Sequence, residues 1–187
     1  MNQAIPRLEL EQMAPTLRTA LEPRVARLRY LGEFFRCMAH QPDALLGFMQ
    51  FTESAKSGLD QRTVETIALT VAALKGNDYE RNQHERLAVR LGYGRNWVRD
   101  IESLQPAVAA SLTDEDRRIQ QFTLAVVRAE GRSTAPLVED LARTMGPANA
   151  VAILMVIGRY VTHALLVGAL ALDPPVPSIF EDGFSGD

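Results

Sequence analysis

The stretch "GNDYERNQHERLAVRLG", residues 76–92, places Asn77, Glu80 and His84 on the first two turns of a predicted helix. Glu80 and His84 are four residues apart and so share a face. A carboxylate beside an imidazole is the pairing that general acid–base chemistry uses. A plainer reading is also available. Asn77 at the N-cap with Glu80 three residues on is the asparagine form of a capping box, in which each side chain satisfies the other's backbone N–H. An exposed Glu–His pair of this kind contributes little. Glu65 adds a third group. It is the one charged residue of "VETIALTVAAL", residues 64–74, which is otherwise apolar or threonine on every face. A helix apolar all round is central in its fold, so Glu65 is expected to be buried or at the edge of a cavity. If this helix and the next form an antiparallel hairpin through Gly76, Glu65 and His84 lie roughly 16 and 12 Å from the turn at about 1.5 Å per residue. Glu65, Glu80 and His84 then share one pocket, where Glu65 would be protonated or paired with the imidazole.

The elements that must hold these residues read as helices from end to end, and the predicted class is all-α, a compact bundle with a central antiparallel hairpin. Val25, Leu28, Leu31 and Phe35 form a stripe suited to one buried helix face in "PRVARLRYLGEFFRCMAH". Pro42 opens a second helix that Gly58 closes. Asp60 is the expected N-cap of the helix bearing Glu65, with Lys75 and Gly76 at its C-terminus. A helix from Asn77 to near Gly92 follows, then a short one around "NWVRDIESL" and a long one capped by Thr113. After "STAPLVEDLARTMG", Pro147 opens a long apolar helix interrupted by Arg159 and His163. One domain over 1–187 is expected, with its core over about 25–172 and an extended proline-rich, acidic tail from 173 to 187.

Composition narrows the classes. With 187 residues, 47% of them hydrophobic, the chain is long enough for a core that needs no metal or disulfide. A formal charge of −3 gives no global attraction for nucleic acid or anionic lipid. Cys37 is the single cysteine, so no intramolecular disulfide forms; it is expected to be a core thiol. No basic and then apolar leader precedes the first helix, and a cytoplasmic location is expected. The apolar helix from Pro147 approaches the length of a membrane span, but a central arginine is costly there and a buried helix is the expectation. "RLAVRLGYGRNWVRDIESL" has the spacing of a helix-turn-helix, a pattern that tight helix packing also produces, and no nucleic-acid partner is expected. Glu65, Glu80 and His84 could supply three metal ligands, but no second histidine lies near in sequence, and no metal or other cofactor is expected.

Together these residues carry a resemblance. The pattern Glu65-x11-Asn77-x2-Glu80-x3-His84 resembles the signature of the carboxymuconolactone decarboxylase and AhpD-like superfamily, whose redox members have Glu-x11-Cys-x2-Cys-x3-His. "LGEFFRCMAHQPDALLGFMQF", "LAVRLG" and the late apolar helix extend the similarity over most of residues 25–172. Asn77 and Glu80 stand where the redox members keep their thiols, so this chain resembles the non-redox branch, which includes a cofactor-free decarboxylase of a γ-lactone acid. The resemblance implies acid–base chemistry on a small carboxylated or lactone compound. Loss of CO2 leaves electron density that spreads toward a carbonyl, and an acid must protonate carbon. His84 is the expected proton donor, with Glu65 tuning it and Glu80 orienting it. Arg159, which must find a partner if buried, is the expected receiver of the substrate carboxylate, with His163 and Asn77 beside it. Arg159 could instead pair with Glu65 or Glu80, or serve a subunit interface. The resemblance also implies a homo-oligomer, a dimer, trimer or hexamer. Two other functions stay open: a catalytically silent binding or scaffold relative, and peroxide reduction through Cys37.

Overall fold

The structure is a computed structural model that describes residues 4–181 and 184; residues 1–3, 182, 183 and 185–187 lie outside it. The described residues form nine α-helices and no strand. Contacts divide the chain into two compact units, residues 1–54 and 55–187.

In the first unit, α1 (Pro15–Leu28) and α2 (Glu33–Met38) replace the single helix expected from Val25 to Phe35. The α1 helix starts eight residues before Pro23 and carries that proline inside it, and it ends because Arg29 takes a left-handed conformation at φ 65°. The apolar stripe is thus broken between Leu28 and Leu31. Its four residues are only half-buried, whereas Leu17, Leu21, Phe34 and Cys37 are buried. Burial pushes the Cys37 thiol up, away from the thiolate form. A cavity of about 280 Å³ beside it is lined by Ile5, Pro6, Met38 and His40. The α3 helix, Pro42–Lys56, begins at the expected proline.

The second unit is built around α4 (Gln61–Lys75), which packs against α5 (Asp78–Arg90), α6 (Arg95–Glu102), α7 (Asp114–Arg128) and α9 (Pro147–Leu170). The α8 helix (Ala135–Met145) lies along α9. Every residue of α4 from Thr63 to Ala72 is buried, as an all-round apolar sequence requires. Asp60 caps it, accepting from Thr63 N at 2.9 Å. Gly76 ends it at φ 62°, a conformation that favours glycine, and the next amide, Asn77 N, donates to Ala72 O at 2.9 Å. These caps set where α5 starts, and so the register of the hairpin.

Polar anchors then fix the helices around α4. Asp116 is buried and accepts from Arg62 of α4 at 2.7 and 2.8 Å, from Trp97 Nε1 of α6 at 3.2 Å and from the Thr113 amide at 2.8 Å. Burial would raise this carboxyl, but the Arg62, Thr113 and Trp97 donors outweigh it and hold it below the usual range. Gln120 of α7 donates to Ile101 O at 2.6 Å and Thr70 Oγ1 at 3.3 Å. An apolar cluster of Leu69, Ala88, Trp97, Val98, Ile101 and Ile179 fills the space between.

Ile179 belongs to the tail, and its full burial shows that residues 176–181 are docked rather than extended into solvent. Glu85 of α5 accepts from Ser178 Oγ at 2.6 Å and from the Ile179 amide at 2.7 Å. Asn82 donates to Val176 O at 2.9 Å and Arg86 to Pro177 O, while Arg95 bonds Ile179 O. Arg95 and Arg99 also stack on Phe180. Glu102 of α6 faces this anchor, and burial together with Glu85 pushes its carboxyl up to about 8. The α9 helix buries one face, including Ile153, Val156, Arg159, Tyr160 and His163, and leaves Val151, Met155 and Leu165 exposed on another. By length and composition alone it could cross a bilayer.

Two outcomes follow from these anchors. Asp116→Ala should lower unfolding free energy in denaturant by about 3 kcal/mol, because Arg62 and Trp97 Nε1 then lose a partially buried acceptor. Glu85→Ala should speed hydrogen exchange at the Ile179 amide while leaving that of α4 slow.

Candidate functional site

The site is assembled from three helices of the second unit. The α4 helix brings Glu65, α5 brings Asn77 as its N-cap and then Glu80 and His84, and α9 brings Arg159, Tyr160 and His163. The hairpin geometry read from the sequence is the one found: His84 Nδ1 lies 2.6 Å from Glu65 Oε2, and His84 Nε2 lies 3.1 Å from Glu80 Oε2. Both ring nitrogens therefore face carboxylate oxygens. Only the imidazolium has a proton to donate at each. Burial alone would lower the imidazole, but Glu65 and then Glu80 overcome it and raise His84 from 6.5 to about 9.

Glu80 is the junction of the cluster. Its Oε2 also accepts from Arg159 NH1 at 3.1 Å, and its Oε1 lies 3.1 Å from His163 Nε2. Burial penalises the charge on Glu80, yet Arg159, His163 and His84 more than compensate and hold it well below the carboxylate range. Asn77 Oδ1 accepts from the Glu80 amide at 3.4 Å, and its amide nitrogen lies 3.5 Å from His163 Nδ1. His163 thus bridges Asn77 and Glu80 through its two ring nitrogens. The capping box is thus half present. Asn77 caps the helix, but Glu80 turns away from the Asn77 amide, which is already bonded to Ala72 O, and toward the cations.

All six residues singled out in the sequence, Glu65, Asn77, Glu80, His84, Arg159 and His163, thus lie in one network. Arg159 is placed in an ion pair with Glu80. Two further members escape the sequence reading. Tyr160 presents its hydroxyl 3.3 Å from His84 Nε2, and its ring is covered by the Arg159 guanidinium at 4.4 Å and the Lys56 ammonium at 5.3 Å from the centroid. Gln61 donates to Glu65 Oε1 at 2.7 Å, fixing the carboxylate that receives the imidazole. The signal for Gln61 is its i, i+4 spacing from Glu65, and for Tyr160 its place beside Arg159 in a helix otherwise poor in polar groups. Among the described residues no group of three or more His, Cys, Asp or Glu side chains is arranged to hold a metal ion.

Comparison with known proteins gives a partial family match and several matches of fold. Residues 42–111, which include Glu65, Asn77, Glu80 and His84, match the family model described as "CMD: Carboxymuconolactone decarboxylase family". No curated protein matches the chain. Among solved structures, an uncharacterized peroxidase-related protein from Ralstonia eutropha JMP134, described as an alkylhydroperoxidase AhpD core, superposes with a TM-score of 0.79 at 17% identity. The match covers 96% of this chain and 92% of that one. An uncharacterized peroxidase-related protein from Silicibacter sp. TM1040 gives a TM-score of 0.74 at 19% identity, covering 92% and 93% of the two chains. The debrominase Bmp8, as a cysteine-to-alanine variant in complex with 2,3,4-tribromopyrrole, gives 0.72 at 18% identity, covering 92% of each. At these identities the structural likeness is one of fold. Residues 42–111, which carry Glu65, Asn77, Glu80 and His84, are thus similar to the carboxymuconolactone decarboxylase family, and over most of its length the chain shares the fold of these solved structures.

Proposed function

We propose that the chain is an enzyme of cofactor-free proton transfer, acting as a decarboxylase-like lyase on a small carboxylated or lactone compound. The observation that carries this reading is the placement of His84 between Glu65 and Glu80, which keeps the imidazole protonated at neutral pH. When an unsaturated lactone acid loses CO2, the carbon left behind is far more basic than an imidazole, so proton transfer from His84 runs downhill. Glu65 stabilises the charge and holds Nδ1. Glu80, itself fixed by Arg159, His163 and Asn77, orients the other edge of the ring. The Tyr160 hydroxyl, 3.3 Å from His84 Nε2, is a second donor for the developing enolate. The binding of a small bromopyrrole by a protein of this fold agrees with a small ring compound as substrate. The two-thiol redox cycle has no sulfur to use at Asn77 and Glu80. Cys37 is buried with its thiol pushed up, which disfavours peroxide reduction through the thiolate. The exposed Val151, Met155 and Leu165 on α9 support a homo-oligomer.

One observation favours a second reading, a silent relative. Each oxygen of Glu80 and each nitrogen of His84 already has a protein partner, as a static buried ion network would require. The two readings separate on turnover. On a panel of γ-lactone acids, His84→Gln with unchanged circular dichroism should lose about a hundredfold or more in kcat/KM. Equal turnover in mutant and parent would sink the enzymatic reading and leave the silent one.

The pH dependence gives a further check. Because the acid must be protonated, kcat/KM should fall as pH rises through about 9, and Glu65→Gln should move that limb to lower pH. The stability linked to His84 has the same sign. Its folded value lies above its ordinary 6.5, so its contribution is complete below that pH and is lost as pH rises through about 9. A limb that stays in place in Glu65→Gln would show that Glu65 does not tune His84.

A further inference from the structure

We propose that Glu85 of α5 and Glu102 of α6 share one proton, and that this proton latches residues 176–181 to α5: the segment is held while the proton is present and loosens when it is lost. The latch shares no residue with the His84 cluster and does not depend on its chemistry.

Glu85 is fully buried, and its Oε2 accepts from Ser178 Oγ at 2.6 Å and from the Ile179 amide at 2.7 Å. Its other oxygen, Oε1, is enclosed without a hydrogen-bond donor, and so is Oε1 of Glu102. The two side chains are in hydrogen-bonding contact with each other. Two ionised carboxylates are acceptors only and cannot make such a bond. A single shared proton supplies the missing donor and removes one of two adjacent buried charges. Glu85 already takes two donors on Oε2 and is the acceptor of the pair, so the proton sits on Glu102.

The charged groups around the pair do not replace that proton. On α5, Arg81 Nε lies 3.4 Å from Glu85 Oε1 without donating a hydrogen bond to it, and Arg81 NH2 is paired with Asp78 at 3.0 Å. Arg86 of the same helix is turned to Pro177 O. On α6, Arg95 and Arg99 lie over Phe180. In the docked segment, Glu181 is a further acid, accepting from the Ser178 amide at 3.1 Å. The buried part of α4 carries only Glu65, which faces His84. Burial and then Glu85 accordingly push the Glu102 carboxyl up to about 8, against the pull of Arg81.

The proton is coupled to the segment because Ser178 and Ile179 close over Glu85, with Ile179 seated beside Leu69, Trp97 and Ile101. Lifting the segment admits water to the pair and returns Glu102 toward its ordinary 4.5, so opening releases one proton to solvent between that value and about 8. Because the docked value is the higher one, docking is firmest below 4.5, weakens as pH rises and is level above about 8.

Hydrogen exchange of the 15N-labelled full chain from about pH 6 to 9 tests this, read as the protection factor of the Ile179 amide, the intrinsic rate at each pH divided by the measured rate. In the parent the factor should fall about tenfold per pH unit up to about 8, as release of one proton on opening requires, and then level off. Glu102→Gln keeps a neutral donor toward Glu85 and should make the factor independent of pH. Glu85→Gln keeps an acceptor for the Ile179 amide but removes the neighbouring charge, and should do the same, so the outcome does not hang on one variant folding. Leu69 of α4 should stay more protected than Ile179 throughout, which assigns the opening to the tail. A parent factor that does not change with pH, a slope that survives in either variant, or Ile179 exchanging together with Leu69 would each overturn the latch.

Discussion

The second unit depends on one constraint: a carboxylate cannot be buried in an apolar helix bundle unless cations are buried with it. Glu65 sits in α4, a helix with no solvent-facing side, and Glu80 is nearly as enclosed. Two such charges would be prohibitive alone. The chain resolves this by placing Arg159 on α9 and His84 on α5, each aimed at the same small volume, and by adding Gln61, which donates to Glu65. The need to pair these groups sets the relative positions of α4, α5 and α9 more strictly than apolar packing could, since side-chain volumes tolerate exchange and ion-pair geometry does not.

The same constraint recurs away from the site, with a different solution each time. Asp116 is neutralised by Arg62 and by neutral donors, and it locks α7 to α4 and α6. Glu85 is buried without a close cation of full strength, Arg81 lying 3.4 Å away. Its Oε2 accepts from the tail, from Ser178 Oγ and the Ile179 amide, and Glu102 opposite it is pushed up to about 8 by burial and by Glu85. One face of α5 thus carries Glu80 and His84 and another carries the anchor of residues 176–181. The docked segment and the ion cluster hold the same helix from two sides.

How much of this can be read from sequence follows from the range of each interaction. The caps of α4 and α5 are legible because Asp60, Gly76 and Asn77 act on backbone within four residues of themselves. The Glu65–His84 contact is legible because a hairpin through Gly76 converts sequence distance into spatial distance with one assumption. The place of Arg159 is half legible: a buried guanidinium needs an acid, but sequence spacing does not say whether that acid is Glu80 or a substrate. Tyr160 is invisible for a related reason, since its contact with His84 depends on the rotation of α9 about its axis. The tail reads as extended because proline-rich composition describes the free chain, while its docking depends on Glu85, a residue that looks like an ordinary exposed helix acid until α6 covers it. The break at Arg29 carries no local signal, because arginine rarely adopts the left-handed conformation found there.

Against the Glu-x11-Cys-x2-Cys-x3-His signature that its sequence resembles, the chain departs at the two thiol positions, Asn77 and Glu80. A thiol pair can be oxidised, and it leaves the neighbouring glutamate and histidine to move protons to and from sulfur. With Asn77 and Glu80 in those places, one position has become a helix cap and the other a carboxylate that itself demands cations. That demand explains Arg159, which would have no counter-charge beside a neutral thiol, and it gives His163 Nε2 a carboxylate oxygen at 3.1 Å. It also changes what His84 can do. An imidazole flanked by one carboxylate can act as base or acid; one flanked by two is held in its acidic form across the neutral range. On the acid–base reading proposed above, a carboxylate at position 80 in place of sulfur makes His84 a proton donor, and the reactions it suits are those whose intermediates are basic at carbon or oxygen.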